Sequence, residues 1–264
     1  MMMKADVFDL SGKVVGKADL PKVFSEKVRQ DLIKRAVLAT LSVRQPYGVD
    51  PMAGKRTSAH YHGYRRHRWS MMNKEMARLP RIHGKVSPHL MWKPRFVPQV
   101  KGGRQAHPPK VESVWLEKIN KKERRKAIMS AIAATAARDL VLKRGHKIES
   151  IKELPIVAVD KLQEIKKTKE LVAFLTSLGL EQELKKLKER KIRAGRGKSR
   201  GRKYRRKVGP LFVITEDKGI GKAARNLNMN VCRAENLSAA YLAPGAMPGR
   251  LTIYTESALK RLGG

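Results

Sequence analysis

A segment of 67 residues, from 44 to 110, most constrains how this chain can fold. It contains eight prolines, a density that blocks helix interiors and central strands. It shows no sustained helical or strand periodicity, apart from a short helical turn predicted around residues 70–79. A structureless stretch of this length does not fit inside a compact core. We therefore predict an extended loop that becomes ordered on a partner, inserted in a globular domain formed by residues 1–43 and 111–264.

The net charge is concentrated in two segments. The chain of 264 residues has 59 Lys and Arg against 23 Asp and Glu, a formal net charge of +36. Residues 44–110 hold fifteen cations against two acids, and residues 185–207 hold fourteen against one, so each segment carries +13. Without a polyanionic partner, this charge would strain the compact state by self-repulsion. Nucleic acid, an anionic membrane surface or an acidic protein could each supply that partner.

Other features of the sequence bear on the choice among these three classes of partner. No stretch reaches the roughly 20 apolar residues that span a bilayer, which disfavours a membrane protein. The N-terminus shows no signal-peptide pattern, and the single cysteine, Cys232, excludes an internal disulfide and fits a reducing cytoplasm. We interpret Cys232 as a small buried residue.

Aromatic residues alternate with arginines in the loop, which indicates folded RNA rather than duplex DNA. Rings stack on unpaired bases while arginines hold the backbone. The alternative is that Trp69 and Trp92 anchor the loop on its own domain. A second basic arm, residues 191–207, surrounds Tyr204 with Arg, Lys and Gly, and its alternative is a solvated charge run. The predicted RNA contacts are Arg56, Arg65, Arg66, Arg68, Trp69, Arg78, Arg81, Trp92, Arg95, Lys101, Arg104, Arg193, Arg196, Lys198, Arg200, Arg202, Lys203, Tyr204, Arg205 and Arg206.

Two patterns could instead indicate ligand sites. Residues 219–224 fit the dinucleotide pattern G-x-G-x-x-G/A, with Glu235 further on, but a structural glycine turn feeding a helix is the simpler interpretation. Six of the seven histidines lie in the loop, without cysteines and with only two acids, so no zinc pattern is matched and RNA contact accounts for them better. No nucleophile, base and acid occur together. We predict no catalytic residue, cofactor or metal.

Outside the basic segments the chain reads as α/β. A strand, tight turn and strand are predicted near the N-terminus, followed by a helix that begins near Pro21. A second helix is predicted over 120–144, packed beside the first, and a third over 168–178. Four apolar runs, each followed by a helical or turn segment, favour a parallel sheet covered on both faces. These runs are residues 156–159, 211–214, 231–233 and 251–254.

Several motifs resemble one family over essentially the whole chain. They are ARLPR (77–81), VKGGRQAHPPK (100–110), NKKERRKAIMSAIAATAARDL (120–140), TKELVAFLTSLGL (168–180) and GPLFVITEDKGIGKAARN (209–226). On these residues the chain resembles the L-four family of universal large-subunit ribosomal proteins. It lacks the long C-terminal extension of eukaryotic members, so the archaeal form is indicated.

The resemblance implies a three-layer α/β domain with a mainly parallel four-stranded sheet and no enzymatic activity. It implies that the loop threads through large-subunit ribosomal RNA, beside neighbouring ribosomal proteins, in the cytoplasmic ribosome. The loop tip would line the nascent-peptide exit tunnel, where it would meet the nascent peptide. By motif position, the residues lining the tunnel are Arg78, Arg81, His83 and Lys85.

Two other hypotheses differ in class. One is an RNA- or nucleotide-dependent enzyme that uses the glycine turn and the loop histidines. The other is a free regulatory or chromatin-like RNA-binding protein, which co-sedimentation with large subunits would exclude.

Overall fold

The computed structural model describes residues 3–43, 50–151, 153–205 and 207–263. By their internal contacts they divide into two compact units: unit 1, Met1–Val43 with Leu116–Gly264, and unit 2, Arg44–Trp115. The strands, all in unit 1, are β1 (Lys4–Phe8), β2 (Val14–Asp19), β3 (Ile156–Ala158), β4 (Lys191–Ile192), β5 (Tyr204–Arg205), β6 (Leu211–Ile214), β7 (Asn230–Arg233) and β8 (Thr252–Thr255).

The main sheet has six strands in the order β2-β1-β3-β8-β6-β7. The four apolar runs read from the sequence form β3, β6, β7 and β8, and these strands pair in parallel. Two more strands join them because the predicted N-terminal hairpin is part of the same sheet. Within it β1 pairs antiparallel with β2, while Val7 aligns with Val157 of β3 in parallel register. The α/β fold with a mainly parallel sheet is therefore confirmed, with a wider sheet than the four strands expected.

Helices cover both faces of this sheet. Their bounds are α1 (Gln30–Ser42), α2 (Lys121–Ala136), α3 (Arg138–Lys143), α4 (Thr168–Ser177), α5 (Glu181–Lys188), α6 (Ile220–Asn226), α7 (Ala239–Leu242) and α8 (Glu256–Gly263). Short 3₁₀ turns occur in unit 1 at Lys22–Ser25, Asp160–Glu164, Ala234–Asn236 and Pro244–Ala246, and in unit 2 at Pro88–Leu90.

The central strand β6 shows how the layers arise. Successive side chains of a strand point to opposite faces. Leu211 and Val213 belong to one core cluster, with residues of α1, α2, α7 and α8. Phe212 and Ile214 belong to the other cluster, with residues of α4, α5 and α6. All four side chains are fully buried, so β6 is apolar throughout, as a strand covered on both faces must be.

The helices on either side of the loop pack against each other, as predicted. Ser130 of α2 accepts a hydrogen bond from the backbone N–H of Arg29 (2.6 Å), and Arg35 of α1 pairs with Glu123 of α2 at 3.0 Å. The first helix begins later than predicted, because the residues after Pro21 form a 3₁₀ turn before α1 starts.

The helix predicted over 120–144 is interrupted. Ala137 is extended (φ −79°, ψ 105°), which ends α2 and starts α3. The break has a packing reason, because α2 buries Ala131 and Ile132 in one core cluster while α3 buries Val141 in the other. A continuous helix could not contribute to both faces in this way.

Candidate nucleic-acid interface

The basic loop lies in unit 2, of which residues 50–115 are described. Among those residues the 3₁₀ turn Pro88–Leu90 is the only helix, which agrees with the proline density. The helical turn predicted around 70–79 is wrong: Asn73 and Glu75 have positive φ values of 58° and 52°, which no right-handed helix contains. The segment is instead built from turns and single backbone bridges.

Three stretches of the loop meet at Arg81. Its backbone forms antiparallel bridges with His60 on one side and Pro94 on the other. Next to it, the N–H of Trp92 donates to the carbonyl of Ile82 at 2.8 Å. Lower in the loop, Gly54 lies so close to Gly103 that a Cβ on Gly54 would sit 2.4 Å from the Gly103 carbonyl oxygen. The outgoing and returning stretches therefore run against each other.

The side chain of Arg81 is directed inward. It is 9% exposed, and its guanidinium donates to the carbonyls of Trp92 (2.8 Å) and Ala77 (2.9 Å). Its Nε has no hydrogen-bond partner among the described residues. Arg81 was predicted to contact RNA and to line the tunnel, whereas in this chain its guanidinium holds the loop backbone from within.

A cluster of rings, which we call the ring cluster, lies beside this arginine. It comprises His60, His62, His67, Trp69, His83 and Trp92. Trp69 stacks on His83 with ring centroids 5.1 Å apart and lies 5.8 Å from Trp92. His62 stacks on His67 at 4.1 Å. Trp69 and Trp92 thus pack within the loop itself, and each is half-buried.

Two histidines of the ring cluster share a hydrogen bond. The Nε2 atoms of His62 and His83 are 2.9 Å apart, so one nitrogen donates and the other accepts. The two rings therefore cannot both carry a proton at Nε2 at the same time. Desolvation, and after it the neighbouring histidines, lower the pKa of each ring. Among the described residues no group of three or more His, Cys, Asp or Glu is arranged to hold a metal ion.

The remaining predicted contacts of the loop lie mostly at its surface. Exposed members are Arg56, Arg65, Arg66, Arg68, Arg78, Lys85 and Lys101, and half-exposed members are Arg95 and Arg104. Arg56 pairs with Asp50 at 3.2 Å, and within the described part of unit 2 no other predicted contact forms an ion pair. Arg68 lies over the ring of Trp69, 5.0 Å from its centroid. The surface is therefore a set of cations with little internal neutralisation.

The basic arm of unit 1 is a hairpin. The strands β4 and β5 pair antiparallel, with Ile192 opposite Tyr204. Gly195 and Gly201 have φ values of 76° and 77°, which glycine adopts readily. Arg190 and Lys203 lie over the Tyr204 ring at 5.7 Å and 5.6 Å.

Most of the residues of this hairpin that were predicted to contact RNA are exposed. Arg193 is half-buried and donates to the backbone carbonyl of Arg202 at 3.1 Å. Arg206 lies outside the described residues. The exposed members are Arg196, Lys198, Arg200, Arg202, Lys203, Tyr204 and Arg205.

Sequence reasoning missed two cations that contact the aromatic residues. Lys74 lies over the ring of Trp92, 3.9 Å from its centroid, and Arg190 lies over Tyr204. Arg190 comes beside Tyr204 only through the pairing of β4 with β5, a contact between distant residues. The signal in the sequence that could have indicated these contacts is the density of Lys and Arg around each aromatic residue.

The backbone N–H groups of the glycine turn at 219–221 are bound by a carboxylate of the same chain, that of Asp217. Oδ1 of Asp217 accepts hydrogen bonds from the N–H groups of Gly219 (3.0 Å) and Gly221 (3.1 Å). Gly219 has φ 141°, and a Cβ there would lie 2.7 Å from Cγ of Lys166. The N–H groups that would bind a pyrophosphate in the dinucleotide pattern are used by Asp217, which supports the structural interpretation of this turn.

Within the described ranges, no helix has the length and apolar character that crossing a membrane requires.

Comparison with known proteins identifies the family. The family model described as "Ribosomal protein L4/L1 family" matches residues 18–264. A protein of Methanosphaera stadtmanae named large ribosomal subunit protein uL4 is 45% identical over 265 aligned residues, which cover 99% of this chain and 97% of the relative. Proteins of the same name from Methanopyrus kandleri and Archaeoglobus fulgidus are each 44% identical, covering 98% and 99% of this chain and 98% of each relative.

These matches cover both units of the chain and exclude the enzyme hypothesis, because the matched family consists of structural proteins. The chain belongs to the Ribosomal protein L4/L1 family.

Proposed function

We propose that this structural constituent of the large ribosomal subunit binds large-subunit ribosomal RNA through its loop and its hairpin. The observation that carries the proposal is the row of exposed cations on both elements. Among the described members of the predicted set, Arg56 alone forms an ion pair. Cations left without acidic partners at this density are neutralised by phosphates, which releases counterions and drives binding.

The aromatic residues add a second mode of contact. The half-exposed Trp69 and Trp92 of the loop and the exposed Tyr204 of the hairpin each lie beside cations. Unpaired bases stack on such rings while the cations hold the adjacent phosphates. This combination favours folded RNA with unpaired bases.

The loop tip is proposed to line the peptide exit tunnel. Arg78 and Lys85 are exposed and His83 is half-exposed, and these three would face the nascent peptide. Arg81 would act from beneath by holding the backbone at Ala77 and Trp92. In this proposal the chain works in cytoplasmic ribosomes, where it meets ribosomal RNA, neighbouring ribosomal proteins and the growing chain.

Charge removal in the hairpin tests RNA binding. The triple variant Arg196→Gln, Arg200→Gln, Arg202→Gln should bind a large-subunit RNA transcript more weakly, with the log–log salt slope reduced by roughly 2 to 3. Filter binding between 50 and 300 mM salt measures this, and thermal unfolding should be unchanged because all three side chains are exposed. A triple variant with the slope of the unaltered chain would argue against hairpin contact.

The matched control removes the same charge elsewhere. Lys13, Lys17 and Lys169 are exposed, Lys17 aligns with Asp6 across the β1–β2 hairpin, and Lys169 precedes Glu170. Their replacement by Gln lowers the net charge equally, in surroundings that contain acids. This control triple should keep the salt slope of the unaltered chain.

A further inference from the structure

Strand β7 forms one edge of the main sheet. It pairs with β6 on one side, and no other described strand pairs with it on the other. The N–H of Asn230 donates to the carbonyl of Pro210 at 3.4 Å, so the backbone groups of Asn230 and Cys232 face β6. The backbone groups of Val231 and Arg233 therefore point away from the sheet. An edge of this kind can accept an extended segment as a further strand.

A groove follows this edge of the sheet. Its volume is about 420 Å³, and all four residues of β7 line it. Its wall also includes Arg225 of α6, Asn236 and Tyr241. When a strand is added to a sheet edge, the main chains pair and alternate side chains of the added segment enter pockets beside that edge. The groove therefore offers side-chain contacts where the residues of an added strand would lie.

The charge of the groove is mostly positive. Arg225 and Arg233 are exposed, and among the described residues neither forms an ion pair. The one acid among the described lining residues is Asp217, whose carboxylate is already bound by the N–H groups of Gly219 and Gly221. Acidic side chains are therefore the complement that the two arginines of the groove lack.

A third cation lies directly behind the groove. The side chain of Arg250 is 1% exposed, and its guanidinium donates to Oδ1 of Asn230 (2.7 Å) and to the carbonyl of Tyr241 (2.8 Å), two residues that line the groove. No described carboxylate pairs with this guanidinium. Burial, and after it the neighbouring Arg144, lower the pKa of Arg250 to about 9, so the side chain stays charged at neutral pH. Its charge adds to the positive potential of the groove.

We propose that β7 and the groove beside it, together the β7 edge, bind an extended acidic segment of a partner protein, which adds to the sheet as a further strand. The N–H groups of Val231 and Arg233 would pair with the backbone of that segment, while the guanidinium groups of Arg225 and Arg233 would hold its carboxylates. A peptide fits this edge better than RNA does, because RNA has no series of N–H and C=O groups to pair with a strand. A second copy of this chain is disfavoured, because each copy carries a net charge of +36.

Amide hydrogen exchange in the full chain, resolved by NMR, tests the proposal. The probe is a peptide of about eight residues in which glutamate alternates with valine. The control peptide has the same sequence with alternate backbone nitrogens methylated, so it keeps the charge and loses the ability to pair as a strand. The probe should slow exchange at Val231 and Arg233 and leave exchange at Cys232, which faces β6, unchanged. The control peptide should slow exchange at neither position and should bind this edge roughly tenfold more weakly.

Two variants locate the contact. Val231→Pro removes an N–H that points away from the sheet, a change that an edge strand tolerates, and should weaken probe binding at this edge roughly tenfold, measured on the Arg233 amide. The double variant Arg225→Gln, Arg233→Gln should weaken it by a similar factor through loss of charge. The control double variant Lys13→Gln, Lys169→Gln replaces two exposed cations elsewhere and should bind the probe like the unaltered chain. Thermal unfolding shows which variants fold, and the double variant carries the test if Val231→Pro does not.

Three results would overturn the proposal. The first is equal slowing of exchange at Val231 and Arg233 by the probe and by the methylated control peptide, or slowing by the probe only in the loop and the hairpin. The second is a folded double variant that binds the probe at this edge as tightly as the control double variant does. The third is a single-stranded oligonucleotide that slows exchange at Val231 and Arg233 when the probe does not, which would make the groove a nucleic-acid site.

Discussion

Replacement of residues 51–110 by a short glycine-serine linker should abolish tight binding to large-subunit RNA while unit 1 still folds. The replaced segment contains fourteen Lys and Arg against one acid, Glu75. If about half of these cations contact phosphates, the salt slope falls by roughly 6, and affinity at 0.2 M salt drops by on the order of 10³ or more. The ring cluster, whose tryptophans are proposed to contact unpaired bases, is lost with it.

Unit 1 should survive this change because the residues of its two core clusters all lie outside the loop. Far-ultraviolet circular dichroism and a cooperative thermal transition would verify that it folds. Filter binding across a salt series then compares the linker variant with the unaltered chain. Residual, salt-sensitive binding through the hairpin is expected. Equal affinity and slope in both proteins would show that the loop is not a major RNA contact.

The second large effect is expected in the interior of unit 1. The side chain of Glu183 in α5 is 1% exposed, accepts from Nδ1 of His146 at 2.8 Å and from the backbone N–H of Lys147 at 2.9 Å, and pairs with Lys186 at 3.0 Å. Glu183→Ala removes the acceptor of all three groups. The buried Nδ1 of His146 and the N–H of Lys147 lose their partner, while the half-buried Lys186 ammonium keeps the carbonyl of Gly145 at 2.7 Å. The loss should be about 3 to 5 kcal/mol of the free energy of unfolding.

Urea unfolding at pH 7 measures this loss, with Glu181→Ala as the control. Glu181 lies two residues earlier in the same helix and is exposed, so its replacement should change stability by less than about 0.5 kcal/mol. Glu183→Gln keeps the shape and one acceptor, and should fall between the two. Equal stability of the Glu183→Ala and Glu181→Ala variants would refute the stabilising role of this buried group.

The same group also predicts a pH dependence. Desolvation lowers the pKa of His146 below 6.5. Burial alone would raise the pKa of Glu183, but the hydrogen bonds from His146 and Lys147 together bring it below 4.5. Both groups bind protons less readily in the folded chain than in the unfolded one. The unaltered protein should therefore lose stability as the pH falls through 6.5 and further below 4.5.

Much of the α/β domain could be predicted because its elements are marked locally. The strands β3, β6, β7 and β8 are short apolar runs, each followed by a helical or turn segment, which favours a parallel sheet. The place of the N-terminal hairpin could not be read in this way. Its partner β3 lies about 150 residues further along the chain, and local pattern carries no information about such a register. The break at Ala137 likewise follows from the two core clusters and from no local signal.

The positive charge of the candidate interface could be predicted from the sequence, but the arrangement of its side chains could not. The exposure of cations such as Arg65 and Arg200 could be expected from the composition of their segments alone. Arg81 could not be told apart from them, because its burial depends on three stretches of backbone that converge in space. The stacking of Trp69 on His83 has the same origin. Glycine and proline spacing indicated that regular structure is absent, but it could not indicate which turns bring these rings together.

The central claim is that the loop tip lines the peptide exit tunnel, and site-specific crosslinking tests it most directly. A photoreactive amino acid would replace Arg78 or Lys85 in protein assembled into large subunits that carry a stalled, radiolabelled nascent chain. Lys169, exposed on α4 in unit 1, serves as the control position. We expect crosslinks to the nascent chain from positions 78 and 85 and none from position 169. Assembled subunits that give no crosslink from either tip position would contradict the account.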